Sequence, residues 1–117
     1  MRPDRRKDYD AILTDFVAGH RGLRLGRLFG RCAAFAGRRA FARLGEGGLE
    51  LKLPAAAREA AVRTGLASRE QLPSVQAQWT RLHAQGPVGA AVLGPYLEIA
   101  ARHAAEALGS VSAREGR

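Results

Sequence analysis

The sequence predicts an α+β fold. It reads as a single two-layer domain, a four- to five-stranded antiparallel sheet with helices before, within and after it, in the order α-β-β-β-β-α-β-α. Three observations predict it. Residues 25–53 form short strand-like runs separated by glycine turns at Gly37-Arg38 and Gly45-Glu46-Gly47-Gly48. The segment before them places apolar residues at helical spacing. Two segments after them read as helices, an alanine-rich one opening at Pro54 that should lie close on the sheet and a last one running from about Pro95 or earlier to Leu108.

The first helix takes Asp4 as its N-cap and runs to about Ala18. Tyr9, Ile12, Leu13, Phe16 and Val17 fall at i, i+3, i+4, i+7 and i+8 and make one apolar stripe, with Gly19 as the C-cap. Asp8, Asp10 and Asp15 do not share a face well enough to hold a metal and read as a solvated surface. Leu23 to Phe29 is the first strand; Gly26 within it marks a bulge or a close helix approach. Gly37 opens a two-residue loop, where a type II′ turn needs φ > 0.

These turns set a register. Phe35 faces Ala40, which faces Leu53; Ala33 faces Ala42, which faces Leu51; Leu44 faces Leu49. All are apolar, so they make one buried face. The other face carries Cys32, Ala34, Arg39, Phe41, Arg43, Glu50 and Lys52. On it Arg43 opposes Glu50, a cross-strand pair of about 0.2–1 kcal/mol, and Phe41 opposes Lys52. The middle helix continues from Ala55 to Thr64 and ends at Gly65. Ser68-Arg69-Glu70-Gln71 reads as the cap of a short helical turn that Pro73 stops. Gln85-Gly86-Pro87 is a turn. The last helix buries Leu97, Ala100, Ala101, Ala104 and Leu108, and Gly109 ends it, leaving 110–117 as a flexible tail.

Composition bounds the function. A chain of 117 residues with 46% hydrophobic content is one domain with a real core. No apolar run approaches the roughly 18 residues of a spanning helix, and the N-terminus lacks a hydrophobic signal segment, so the expectation is a cytoplasmic protein with no membrane partner. The single Cys32 excludes an internal disulfide and reads as a small hydrophobe in or near the sheet. His20, His83 and His103 lie on three different elements, and no close-spaced ligand set joins them. His20 sits where it can serve the last carbonyls of the first helix. No nucleophile elbow, Walker loop or dinucleotide glycine motif is present. The expectation is a non-enzymatic protein with no cofactor and no small-molecule substrate.

The charge is the main functional signal. Net charge is +8, and between Arg21 and Arg43 there are seven arginines and no acid. Such a run points to an acidic partner, nucleic acid first. A compositional preference for arginine over lysine, which occurs only at Lys7 and Lys52, would produce the same excess.

Leu28-Phe29-Gly30, the hairpin turning at Gly37, Phe41-Ala42, and Gly48-Leu49-Glu50-Leu51-Lys52-Leu53-Pro54 entering a helix together resemble the TfoX N-terminal-domain family and the related MmcQ/YjbR group. In this resemblance Leu28 stands for a Met, Arg31 for a second Gly and Arg38 for a Lys. The Pro-Phe and Gly-Arg-Pro-Met elements common in the family are absent. The resemblance covers about Leu25 to Leu108. It implies a domain over residues 1–109 and places Trp79 on a last strand, Gln78 to Leu82. Family members include competence regulators, in which this domain is joined to a second, helical one.

Two functions remain open at this level. One is a small regulatory module associated with nucleic acid through an arginine-rich hairpin surface, with Arg24, Arg27, Arg31, Arg38 and Arg39 contacting phosphates. The other is a protein-interaction or homodimerisation module that uses Phe41, Arg43 and Lys52 on the open sheet face.

Overall fold

The structure is a computed structural model and describes residues 5–45, 48–67, 79–83 and 86–115, with side chains for 8–45, 48–67, 79–83 and 89–106. The elements are α1 (Arg5–Ala18), β1 (Leu23–Leu28), β2 (Arg31–Ala36), β3 (Arg39–Leu44), β4 (Leu49–Lys52), α2 (Ala55–Arg63), β5 (Trp79–Leu82) and α3 (Gly86–Glu115). The five strands form one antiparallel sheet in the order β1-β2-β3-β4-β5, so the α+β architecture and its element order are as the sequence predicts. Asp4, the segment Ser68 to Gln78 and the side chain of Leu108 lie outside the described residues.

The helices bury the stripes read from their spacing. Tyr9, Leu13 and Val17 of α1 are buried, with Ile12 and Phe16 packed beside them. From α3, Leu93, Leu97, Ala100, Ala101 and Ala104 enter the same core. Ala57 and Ala61 of α2 join it; their small side chains let that helix approach closely. Helix α2 ends in a Schellman motif: Gly65 has φ +81°, its N–H donates to Val62 O at 3.1 Å, and Leu66 N–H donates to Ala61 O at 3.0 Å. Helix α3 departs from the expected limits. It begins at Gly86, so 86–87 is helical rather than a turn, and it passes through Pro95 and Gly109 to Glu115. Leu93 and Leu97 share one buried stripe across Pro95, and that packing outweighs the missing N–H. Gly109 in a helix costs about 1 kcal/mol relative to Ala but does not itself force a stop.

Two turns fix the hairpins. Gly37 has φ +60° while Arg38 is not left-handed, as a type II′ loop requires. Phe29 and Gly30 have φ +52° and +79°, the signature of a type I′ loop. Phe29 is therefore a turn residue rather than the end of the first strand, and Leu28 pairs directly with Arg31.

The sheet register needs one correction. Ala42↔Leu51, Arg43↔Glu50 and Leu44↔Leu49 stand as read from the turns. Between β2 and β3, however, Phe35 pairs with Ala40 while Ala34 pairs with Ala42, so Phe41 is the extra residue of a β-bulge. A bulge presents two consecutive residues toward the same side. Phe41 and Ala42 both enter the core, Phe41 fully buried and edge-on to Phe16 with centroids 6.4 Å apart. The faces of β2 exchange accordingly. Ala34 and Ala36 point into the core, Cys32 packs against it, and Ala33 and Phe35 lie on the second face. Phe41 is thus not an interaction-face residue.

Candidate nucleic-acid interface

The second face is built by strand alternation. Its central row runs Gly26–Ala33–Arg43–Glu50–Arg81, each residue the cross-strand partner of the next. Toward one end lie Arg24, Phe35 and Ala40 as partners, and Lys52 with Trp79. Phe35 lies over Gly26, where a Cβ would come within 3.0 Å of its ring; this aromatic cover, rather than a bulge or a helix, explains the glycine.

Each aromatic on this face carries cations. The Arg24 guanidinium lies 4.5 Å from the Phe35 ring centroid, Arg43 lies 4.2 Å from that of Trp79, and the Lys52 ammonium lies 5.0 Å from the same ring. Ring faces are electronegative, so each contact holds a cation without an acid. Burial lowers the Lys52 pKa, and repulsion from Arg39 and Arg43 lowers it further. Glu50, the single acid in the strand sequences, is buried and doubly bound. Arg43 Nε donates to its Oε1 at 2.7 Å, and Arg81 donates to Oε2 through Nη2 at 2.9 Å and Nε at 3.2 Å. The pair expected between Arg43 and Glu50 is therefore part of a buried Arg–Glu–Arg row. Gly45 belongs to this arrangement, since a Cβ there would collide with the Glu50 carboxylate.

The arginines singled out from the sequence do not form one patch. Arg24, Arg38 and Arg39 are exposed and lie toward the β2–β3 turn, the end of the sheet that also carries Lys52 and Trp79. Arg27 and Arg31 flank the β1–β2 turn at the opposite end, about 17 Å away along β2. There Arg27 Nη1 donates to Gly30 O at 3.0 Å, and Arg27, Arg31, Asp10 and Cys32 line one open cleft. Burial, and then the nearby Asp10, raise the Cys32 pKa, which disfavours the thiolate. Residue-by-residue reading missed Phe35 as a member of the cationic face because the bulge is invisible in alternation, and missed Trp79 and Arg81 because no hairpin turn joins β5 to β4 to set its register. It also missed the exposed tip at Phe29, because phenylalanine at the first position departs from the Asn, Asp or Gly that a type I′ turn prefers.

The histidines remain apart. His20 Nδ1 donates to Phe16 O at 2.6 Å, its ring stacks on Phe16, and its Nε2 pairs with Glu98 of α3. His83 and His103 are exposed. Among the described residues, no group of three or more His, Cys, Asp or Glu could hold a metal ion. No described helix is long and apolar enough to cross a membrane. Comparison with protein-family models, curated proteins and solved structures finds no match.

Proposed function

We propose that this protein is a small, non-enzymatic regulatory module of the cytoplasm that associates with nucleic acid; the resemblance to TfoX N-terminal domains supports the regulatory class, and the basic sheet supports the partner. One observation carries the reading. Arg24, Arg38, Arg39 and Lys52 gather at one end of the sheet beside Phe35 and Trp79, and the only acid in the strand sequences is already saturated by two arginines. Cations interleaved with aromatic rings suit a polyanion whose bases carry π-faces. The exposed Arg24, Arg38 and Arg39 supply phosphate contacts, while Arg43 is committed to Glu50 and Trp79. The alternative, a protein-interaction or homodimer face, loses Phe41 as its anchor because that side chain is in the core. Arg43 and Lys52 do belong to the face it invokes.

Fluorescence anisotropy with labelled single-stranded and duplex DNA across a salt series tests the proposal. Micromolar binding with a log–log slope steeper than about −3 is expected. Arg38→Glu with Arg39→Glu is expected to weaken binding at least about tenfold and to flatten the slope by about 1.4–1.8, the loss of two phosphate contacts. Absence of binding at low salt refutes the reading and makes the arginine excess compositional.

A further inference from the structure

The β1–β2 turn presents an aromatic ring that the fold does not use. Phe29 is 91% exposed, the most exposed large apolar side chain described. Its φ of +52° is left-handed, a conformation that Gly, Asn and Asp adopt readily and that strains a bulky residue. The tip is therefore neither packed nor easy for phenylalanine. It is nonetheless held firmly. Leu28 pairs with Arg31, Arg27 pairs with Cys32, and the Arg27 guanidinium braces the turn through Gly30 O. The ring thus stands on a fully paired hairpin with an arginine on each side along the chain.

We infer that Phe29 is a stacking residue for an unpaired base of single-stranded nucleic acid, with Arg27 and Arg31 meeting the adjoining phosphates. The charge of the hairpin selects the partner. Its sequence from Leu23 to Ala36 contains Arg24, Arg27 and Arg31 and no acid, so that cations outnumber Asp10 of α1, the acid that lines the cleft beside Arg27 and Arg31. Duplex bases are already stacked, and separating them for a single ring costs a few kcal/mol, whereas an unpaired base offers its face freely. The inference rests on the nucleic-acid reading above and extends it. It assigns the end of the sheet remote from Arg38 and Arg39 a base-binding role, so that one strand would run the roughly 17 Å of β2 between the two turns.

Phe29→Asn tests it, because Asn suits the left-handed turn and the variant is expected to melt no lower than the parent. The full-length chain is titrated into a labelled oligonucleotide containing 2-aminopurine, and into its duplex form. The parent is expected to bind the single strand more tightly than the duplex and to quench the 2-aminopurine. Phe29→Asn is expected to weaken single-strand binding about tenfold, to abolish the quench and to leave the salt slope unchanged. Phe29→Trp is expected to restore both affinity and quench. If Phe29→Asn binds as tightly as the parent while Arg38→Glu/Arg39→Glu does not, the base-stacking role is overturned and the phosphate-binding reading survives. Tighter binding to duplex also overturns it, as does loss in Phe29→Asn of a concentration-dependent dimer with nucleic-acid affinity intact. No binding by the parent overturns both proposals.

Discussion

At the residue scale, two buried side chains decide how the sheet is used. Glu50 lies in the interior with Arg43 and Arg81 on its two oxygens from either side. Breaking such a group from within is more damaging than losing a surface pair, because the remaining charges stay poorly solvated. Glu50→Gln is expected to destabilise the fold by about 3 kcal/mol. Urea unfolding should show it as a lower midpoint at unchanged m-value. Arg81→Ala, whose side chain is 38% exposed, is expected to cost only about 1 kcal/mol by the same measurement. Phe41 makes the complementary case. It is fully buried and packs on Phe16, so Phe41→Ala is expected to cost about 3–5 kcal/mol in the monomer. An unchanged stability accompanied by a change in association state would instead place it at an interface.

At the element scale, the C-terminal end of α1 is joined to the middle of α3 by one titrating contact. His20 follows α1, accepts the partnership of Glu98 on α3 and donates to the last-turn carbonyl of Phe16. The hydrogen bond to Glu98, then that to Phe16, raises the His20 pKa above its ordinary value. The sign follows directly. The folded state holds the proton more tightly than the unfolded chain, so the contact stabilises fully below about pH 6.5. Its contribution is lost as pH rises from there through the elevated folded value. Thermal melts of the parent are expected to fall across that window, and Glu98→Gln is expected to flatten the fall. A parent curve that rises with pH there would contradict the arrangement. The hairpins illustrate the same scale differently. Gly37 was legible as a II′ turn because a backbone requirement selects the residue. The Phe29-Gly30 turn was not, because its first residue contradicts ordinary turn preference.

At the scale of the whole molecule, charge and topology act together. The net +8 is concentrated on one sheet, whose strands contain a single acid. Antiparallel order divides its arginines between two ends. Arg24, Arg38 and Arg39 form one group and Arg27 and Arg31 the other. Two separated basic groups joined by a cation–aromatic face would bind an extended polyanion along its length. The salt slope should therefore fall in two independent steps when Arg38/Arg39 and Arg27/Arg31 are reversed in separate variants, each by about 1.4–1.8. Equal, non-additive losses would indicate one compact site.

The sequence by itself determined the α+β class, the element order, the stripes of α1 and α3, the II′ turn and the β3–β4 register, including Arg43 opposite Glu50. Each follows from a periodicity or a backbone demand that one or two residues declare locally. Only the tertiary structure decided which face of β2 is buried and that Phe41 belongs to the core. It also decided that Phe35 and Trp79 carry the cations, and that α3 continues past Pro95 and Gly109. The physical reason is the same in each case. A single inserted residue reverses a strand's alternation, and a helix's limits depend on what its buried stripe packs against; both are settled by competition for the core rather than by local preference.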